Sequence, residues 1–436
     1  MANKLSIFWF RRDLRLDDNV GLYHALQSRN EVLPIFIFDS EILNELPKDD
    51  ARITFIHQTL QKLNSDLKQN YHSGIAMYYG SPKSVFEELS AQFNIDSVYT
   101  NHDYEPYAIK RDNSISNYLN SKGIAFNTYK DQVIFERDEI VKSDGSPYKV
   151  YTPYSKKWLE AFNTKGVEFL KSENHLDKLF KSNQIPNLSL KKIGFETSNQ
   201  HIEPYTVDAE LINDYEATRN FPAKDGTSKI GPHLRFGTVS IRKIVEKASK
   251  SSNITYLKEL IWREFFMQIL WHFPHTVTQS FKPQYDNIKW RNNKTEFELW
   301  CKGKTGYPLV DAGMRELNQT GFMHNRVRML VGSFLCKHLL IDWRLGEAYF
   351  AEKLQDYEMS SNIGNWQWVA GCGVDSAPYF RIFNPTTQIE KFDKQHQYIK
   401  KWVPEYQELT YSSPIVDHKM ARERCLNVYK EALNNS

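Results

Sequence analysis

Glu259 and Trp262 lie three residues apart in a segment whose apolar residues recur at a helical spacing, so both side chains are expected on one helix face. A carboxylate beside a large aromatic ring could hold a flat polar ligand, because the ring can stack on it and the carboxylate can accept a hydrogen bond. An ordinary, partly buried tryptophan beside a solvated glutamate has the same spacing. The pair by itself therefore leaves both interpretations open.

A second chemically capable group is the run Met323–Met329, which combines an amide, two guanidinium groups and two thioethers at the expected start of a helix. Arg326 and Arg328 suit phosphate or carboxylate partners, because a guanidinium can donate two parallel hydrogen bonds to either group. A structural ion pair explains Arg328 equally well.

The segment 356–381 is the richest part of the chain in such residues. Trp366 and Trp368 are two residues apart and point to different sides of any regular element, so one can pack inward while the other faces a cavity. Core packing explains one tryptophan, but it explains the nearby Asn362 and Asp356 poorly. The segment therefore predicts a side that faces a ligand.

Two familiar phosphate-binding patterns fail in this sequence. Gly303–Gly306 resembles the end of a P-loop, but the glycine that the pattern requires upstream falls on Glu298. No GxGxxG pattern follows the first predicted strand, which disfavours a dinucleotide-dependent dehydrogenase. We therefore expect an ordinary loop before Pro308.

The composition is that of a globular protein with two or three domains. The chain has 436 residues, 41% hydrophobic and 25% charged, with a formal net charge of +3. This charge is too small to indicate nucleic-acid binding, because a local basic groove decides that property. The first apolar run is too short for a signal sequence or a membrane span, so a cytoplasmic protein is expected. The scattered cysteines disfavour a disulfide framework or a metal site; they are Cys301, Cys336, Cys372 and Cys425.

The first 130 residues alternate short apolar runs with helical patterns, which predicts an α/β domain with a doubly wound, Rossmann-like parallel sheet. The predicted strands are Leu5–Phe10, Val32–Phe38, Ile75–Tyr79 and Ser97–Thr100. The predicted helices lie near Asp17–Ser28, Ala51–Gln69 and Pro82–Phe93.

The rest of the chain divides into a connector and an all-helical domain. Residues 131–200 show no sustained period, and Ser143–Tyr154 is rich in turn-forming residues, so a long, partly ordered connector is predicted there. Residues 201–436 follow a helical period, with Ile254–Phe273 as the clearest helix and Pro274 as the residue that ends it.

Several long motifs resemble the photolyase/cryptochrome family, and the resemblance is closest to bacterial class I-like cyclobutane pyrimidine dimer photolyases. The motifs are Ile7–Asn19, Thr305–Ala312, Met323–Met329, Asn365–Trp368 and Pro378–Pro385. The resemblance implies an antenna domain over residues 1–130 and a helical FAD-binding domain over residues 201–436. It also implies a light-driven DNA repair enzyme, which is a carbon–carbon lyase.

The resemblance implies a set of FAD-binding residues, with two departures. Gly231 replaces the serine usual at its position, and Glu358 replaces a commoner aspartate. Asn362 aligns with the residue facing flavin N5, where plant cryptochromes usually have aspartate; a neutral amide favours the reduced flavin needed for repair. The implied residues are Tyr215, Thr227, Ser228, Lys229, Ile230, Gly231, Arg328, Asp356, Tyr357, Glu358 and Asn362.

A substrate pocket, a DNA contact surface and an electron path are implied in the same way. Glu259, Trp262, Asn325, Met329 and Trp368 would surround a pyrimidine dimer flipped out of the duplex. Excited reduced FAD would lend the dimer one electron and recover it after the ring splits. Trp366, Trp343 and Trp300 would carry an electron from the surface to the flavin. DNA contacts are implied for Arg219, Glu259, Trp262, Arg263, Asn325, Arg326 and Arg381.

Alternatives remain for the lesion and for the function. The (6-4) photolyases carry a histidine pair in the helix where this chain has Asn325 and Met329, which favours cyclobutane dimers. A cryptochrome-type blue-light sensor without repair activity is the first alternative. A binding module that uses no flavin is the second. The expected partner is DNA, with no membrane, and the expected state is a monomer.

A second, antenna chromophore is common in the family. Tyr104–Ala108 aligns with a region that binds folate in some members, but Tyr107 and Ala108 depart from the expected Asn-Glu pair. A deazaflavin, a flavin nucleotide, a folate and an empty cleft therefore all remain open.

Overall fold

The computed structural model describes residues 4–434. Its contacts form two compact units. The first contains the chain up to Glu136, Ala161–Tyr205 and Ile230–Lys247. The second contains Arg137–Glu160, Thr206–Lys229 and the chain from Ala248 onward. The connector predicted for residues 131–200 is thus divided between the two units and does not form one separate block.

The first unit is built on a parallel sheet of five strands in the order β3-β2-β1-β4-β5. The predicted doubly wound sheet is confirmed, because this order runs outward in both directions from the first strand. The fifth strand was not predicted, since its residues are exposed or half-buried and show no apolar run. The strands are β1 (Leu5–Phe10), β2 (Glu31–Asp39), β3 (Ala76–Gly80), β4 (Ile95–Asn101) and β5 (Ala125–Tyr129).

Both faces of the sheet are covered, because all six residues of β1 are buried, including Ser6. Phe8 and Phe10 pack into one buried cluster, while Ile7 and Trp9 pack into the other. The alternation follows from the two-residue period of a strand. The helices that follow the first four strands are α1 (Val20–Leu26), α2 (Ser40–Leu43), α3 (Ala51–Tyr71), α4 (Pro82–Gln92) and α5 (Pro106–Ser121).

The remaining elements that are named below are helices, joined by irregular segments. The clearest predicted helix is α10, and its observed bounds agree with the prediction to within one residue at each end. The helices are α6 (Tyr151–Lys165), α7 (Ala209–Thr218), α8 (Gly231–Arg235), α9 (Ile241–Ser249), α10 (Thr255–His272), α11 (Lys294–Cys301), α12 (Pro308–Thr320), α13 (Asn325–Ser333), α14 (Trp343–Lys353), α15 (Met359–Ala370), α16 (Pro385–Phe392), α17 (Gln397–Trp402) and α18 (His418–Asn434).

Helix α6 lies inside the predicted connector. Its buried residues include Tyr154 and Trp158, and the Trp158 indole N–H donates to Glu264 Oε2 at 2.6 Å. The helix was missed because bulky aromatic residues favour helices weakly, so packing against α10 rather than local preference stabilises it.

Within residues 4–434, none of the helices has the length and apolar character needed to cross a membrane. Over the same residues, no group of three or more histidine, cysteine or acidic side chains is arranged to hold a metal ion.

Candidate active site

The second unit contains a cavity of about 400 Å³, a size typical of small-molecule sites. Helices α10, α13, α14 and α15 and the segment before α15 supply its walls. It brings together most of the predicted site residues: Arg219, Glu259, Trp262, Arg263, Asn325, Arg328, Met329, Asp356, Tyr357, Glu358, Asn362, Trp366 and Trp368. Further lining residues that the sequence did not single out are Phe266, Gly332, Phe350, Leu354, Ser361, Asn365 and Val369.

The start of α13 places three side chains on the cavity wall. Asn325, Arg328 and Met329 line the cavity because positions three and four apart share a helix face. His324 caps the helix, and its Nδ1 accepts the N–H of Arg326 at 3.2 Å. Burial lowers the pKa of His324 to about 4, with nearby arginines adding to the effect. The imidazole therefore stays neutral at pH 7 and can serve as an acceptor.

Trp262 and Glu259 lie on the same wall, as their spacing predicts. The Trp262 ring is stacked on Tyr151, with centroids 3.7 Å apart and an interplanar angle of 6°. Glu259 Oε1 pairs with Arg219 Nη1 at 2.5 Å, and both side chains are partly exposed. The half-buried Trp262 and the partly exposed Glu259 are compatible with both interpretations of the pair, and a substrate role for them stays a prediction.

Arg263 is committed to a buried ion pair. Its Nε lies 2.9 Å from Glu358 Oε2, and its Nη2 donates to Glu358 Oε1 at 3.0 Å. The two side chains are only 11% and 7% exposed. The fork of this guanidinium is therefore turned to Glu358, which contrasts with the DNA contact that the resemblance implied for Arg263.

Arg328 and Asp356 form the ion pair that the resemblance implied. Arg328 Nη2 and Nη1 donate to the two carboxylate oxygens at 2.9 and 3.2 Å. Arg328 Nε also donates to the carbonyl of Met323 at 2.6 Å. These three bonds hold the guanidinium at the cavity wall, so a structural ion pair and a ligand-facing position occur together here.

Asn362 is oriented by Glu347. Its Nδ2 donates to the Glu347 carbonyl oxygen at 3.1 Å and to Glu347 Oε1 at 2.9 Å. Both amide hydrogens are thus used, which leaves Oδ1 as the atom of this amide that a ligand can approach. Burial raises the pKa of Glu347. No local sequence pattern connects Glu347 to Asn362.

The three tryptophans of the implied electron path belong to one buried core. Trp366 lines the cavity, and its ring centroid lies 6.2 Å from that of Trp300. Trp300, Trp343 and Trp366 are 0%, 1% and 3% exposed. All three are therefore almost inaccessible to solvent, and the electron path implied for them stays a prediction.

Trp290 is a partly exposed tryptophan that the sequence analysis missed, and it packs against the same core. The segment that follows it is bound to the segment before Trp343. Arg291 N–H donates to the Leu340 carbonyl at 2.7 Å, and Asp342 N–H donates to Asn292 Oδ1 at 2.8 Å. Solvent exposure, which the sequence does not reveal, is the property that distinguishes Trp290 from Trp300.

The predicted phosphate-binding segment is not brought to the cavity wall. Ser228 Oγ accepts the hydroxyl of Tyr256 at 2.9 Å, and the Tyr215 ring meets Tyr256 edge to face at 5.1 Å. Lys229 lies 3.6 Å from Asp225. Thr227 also belongs to the second unit, whereas Ile230 and Gly231 group with the first. Phosphate binding by these residues stays a prediction.

Arg219, Arg326 and Arg381 form a cluster of like charge. Burial lowers the pKa of Arg326, and the positive charges of Arg219 and Arg381 lower it further. The Nε of Arg326 is buried and makes no hydrogen bond. Arg326 Nη2 donates to Asn220 Oδ1 at 2.5 Å. An anion placed between these side chains would relieve their mutual repulsion.

Comparison with known proteins agrees with this arrangement. Residues 6–172 match a family model described as DNA photolyase, and residues 256–410 match one described as the FAD binding domain of DNA photolyase. A deoxyribodipyrimidine photo-lyase of Synechococcus is 34% identical to this chain, over 98% of the chain and 96% of the relative. The chain belongs to the DNA photolyase family.

Two solved structures extend the comparison. A bacterial class III photolyase from Agrobacterium tumefaciens superposes with a TM-score of 0.87 at 32% identity, over 100% of this chain and 98% of the other. A cryptochrome from Synechocystis superposes with a TM-score of 0.84 at 26% identity, over 98% and 99%. The fold is therefore shared by repair enzymes and by a cryptochrome, so the site residues must distinguish the two functions.

FAD is the cofactor of this family domain, and the donor set of the cavity fits it. Asn362 offers an uncommitted carbonyl oxygen, Arg328 and Asp356 offer charged groups, and Trp366 offers an aromatic edge. These residues would hold the flavin ring system. The observation that supports the fit is the orientation of Asn362, whose Oδ1 suits a flavin N–H donor.

Proposed function

We propose that this protein repairs cyclobutane pyrimidine dimers in DNA with the energy of blue or near-ultraviolet light. The observation that carries the proposal is one cavity whose lining combines two chemically different groups of residues. Asn362 and Trp366 suit a flavin, while Trp262 and Glu259 suit a pair of pyrimidine bases. Bound reduced FAD supplies light absorption and the reversible transfer of one electron.

The chain itself must bind and orient the lesion. A dimer inside a stacked duplex is out of reach, so it has to be flipped out, which costs a few kcal/mol and costs less for a damaged site. Trp262 and Trp368 then provide apolar walls for the bases. Glu259 and Asn325 provide hydrogen bonds to the base edges and the charged product of electron transfer, and Met329 provides an apolar contact.

The arginine cluster is assigned to the DNA backbone. Arg219, Arg326 and Arg381 contact phosphates and set the register of the strand without reading its sequence. Arg263 is assigned a different role, since its ion pair with Glu358 supports the cavity wall.

The lesion is assigned to the cyclobutane class. Asn325 and Met329 both line the cavity, at the positions where a (6-4) photolyase resembles this chain but has histidines. A neutral amide and a thioether cannot supply the acid–base function of imidazoles. The same two residues leave room for hydrogen bonding and apolar contact, which suffice when electron transfer alone drives bond cleavage.

An electron path for reducing FAD is assigned to Trp366, Trp343 and an entry at Trp290. Trp290 supports this role through its exposure and through the bonds that join its segment to the start of α14. Trp300 is not assigned the surface end of the path, because it is fully buried.

We also propose a cytoplasmic location, supported by four free cysteines, which suit a reducing compartment. The expected monomeric state stays a prediction. The antenna chromophore stays a prediction. In Tyr104–Ala108, Glu105 pairs with Arg12 and Arg235, and the Tyr107 hydroxyl donates to Asp39 at 2.6 Å. These internal bonds compete with any chromophore for the same groups.

A repair assay tests the function. Chemically reduced protein is mixed with an oligonucleotide carrying one cyclobutane thymine dimer and divided into lit and dark samples. Loss of the dimer in the light alone, with a (6-4) substrate unchanged, is expected. A protein that binds photoreducible FAD yet repairs neither lesion would instead be a cryptochrome-type sensor. A colourless protein that releases no flavin on denaturation would be a binding module.

A further inference from the structure

Tyr151 lies behind the tryptophan that forms one wall of the cavity. Its ring stacks face to face on Trp262, with centroids 3.7 Å apart and planes within 6° of parallel. Tyr151 is 8% exposed and does not line the cavity, whereas Trp262 does. One face of the indole is therefore covered by Tyr151, and the indole presents its remaining surface to whatever enters the cavity.

Two hydrogen bonds anchor Tyr151 at its two ends. The phenolic hydroxyl donates to the carbonyl of Lys258 at 2.7 Å, one helical turn before Trp262 in α10. The backbone N–H donates to Asp375 Oδ2 at 3.1 Å, in the segment that follows α15. Helix α15 carries Trp368, the other aromatic residue of the cavity. Tyr151 thus connects the elements that bear both aromatic walls.

The edge contacts of Trp262 complete its restraint. Phe265 meets the indole edge to face at 5.5 Å, and Phe266 lies at 5.4 Å with a 30° tilt. These contacts limit rotation in the plane of the stack. Among the aromatic rings of residues 4–434 that contact the indole, Tyr151 is the one that lies parallel to it, so Tyr151 sets the plane of the ring.

We propose that Tyr151 is a positioning residue that holds Trp262 in the plane needed to stack on a flipped-out pyrimidine dimer. It thereby increases the preference for damaged over undamaged DNA. The inference rests on the proposed function, because it requires a pair of bases beside Trp262. A ring that is already fixed loses less conformational freedom when the lesion binds. The entropic cost of binding is therefore smaller and the affinity is higher.

The test compares Tyr151→Ala with Tyr151→Phe in the flavin-loaded protein. Dark binding is measured to an oligonucleotide with one thymine dimer and to the same oligonucleotide without damage. We expect Tyr151→Ala to bind dimer DNA about three- to tenfold more weakly, as for the loss of one aromatic pair, with binding to undamaged DNA unchanged. Tyr151→Phe keeps the stack and should bind within about twofold of the original protein.

Two controls separate positioning from general damage to the structure. Tyr148→Ala removes a partly buried tyrosine of the same segment whose ring lies 6.4 Å from Tyr154, and it should leave dimer binding unchanged. FAD content and photoreduction should be unchanged in every variant. If Tyr151→Ala does not fold, Tyr151→Leu keeps most of the volume without the ring and takes its place.

The decisive measurement places Tyr151→Ala in a Trp262→Ala background. Because Tyr151 acts through Trp262, no further loss of dimer affinity is expected there. An equal loss in both backgrounds, or unchanged dimer binding by Tyr151→Ala itself, overturns the inference. If the original protein does not prefer dimer DNA at all, the proposed function fails first, and the two failures are therefore distinguishable.

Discussion

Asn362 and Glu347 are joined by two hydrogen bonds, and both use the amide nitrogen of Asn362. The amide is therefore oriented with its oxygen available to the cavity. A side-chain amide free to rotate could present either a donor or an acceptor, so this contact determines which of the two a bound flavin meets.

Replacement of Glu347 with alanine is expected to change the redox properties of the flavin without removing it. The variant keeps the backbone acceptor and loses the carboxylate, so the amide can turn. We expect a shifted midpoint potential of bound FAD and a lower repair yield per photon, measured by redox titration and by repair under calibrated light. Glu352→Ala, on the exposed surface of the same helix, is the control. An unchanged potential in Glu347→Ala would contradict the orienting role.

Replacement of Arg263 with glutamine is expected to destabilise the protein by about 3–5 kcal/mol, because it leaves Glu358 buried without its charged partner. Urea unfolding measures the loss. As a control, Lys302→Gln breaks an exposed ion pair with Glu298 and should cost less than about 1 kcal/mol. If the free energy of unfolding falls equally in the two variants, the ion pair between Arg263 and Glu358 does not stabilise the protein in the way described above.

The arginine cluster predicts a particular dependence of DNA binding on salt. Arg326→Gln and Arg381→Gln should each weaken binding to damaged and undamaged DNA alike and should reduce the slope of log K against log salt by about 1. Binding titrations between 50 and 200 mM salt, roughly the range in which such effects are large, measure the slope. If neither substitution changes the slope, Arg326 and Arg381 do not contact the DNA phosphates.

The proposed electron path predicts that substitutions of Trp290 and Trp300 have different effects on photoreduction of the flavin. Trp290→Phe should slow photoreduction of oxidised FAD by external reductants. Trp300→Phe should leave it nearly unchanged, because the surface end of the proposed path is Trp290 and not the fully buried Trp300. Repair by protein that has been reduced chemically should survive both changes. Absorbance changes under blue light report photoreduction, and a larger effect of Trp300→Phe would restore Trp300 to the path.

His324 predicts how stability depends on pH. Its pKa is about 4 in the folded protein, lowered by burial and by Arg328, Arg326 and Arg219, while its backbone N–H donates to Glu316. The unfolded chain therefore binds a proton that the folded chain does not, between about pH 6.5 and pH 4. Stability from this group is fully present above pH 6.5 and is lost as the pH falls through this window.

The histidine prediction is checked by urea unfolding at pH 7, 5.5 and 4.5. His324→Asn keeps a side-chain acceptor for the helix start without a titrating group, so its stability should fall less steeply over this range. Parallel pH curves for the two proteins would contradict the assignment.

The sequence alone determined the features that depend on local pattern. Short, largely apolar runs predicted four strands of the parallel sheet, and a helical period predicted α10 with Glu259 and Trp262 on one wall. The fifth strand was not predicted, because its side chains are exposed or half-buried. Helix α6 was not predicted, because packing against residues distant in sequence stabilises it. Motif resemblance added the Arg328–Asp356 pair, whose geometry the structure then supplied.

Tertiary structure alone decided which side chains meet across elements. The stack of Tyr151 on Trp262, the bond of Asn362 to Glu347 and the pairing of Arg263 with Glu358 join residues from different elements. The burial of Trp300 likewise depends on the residues packed around it. A sequence pattern reports which face of an element is apolar, but contacts and exposure are set by how the elements pack, because that packing depends on all of their surfaces at once.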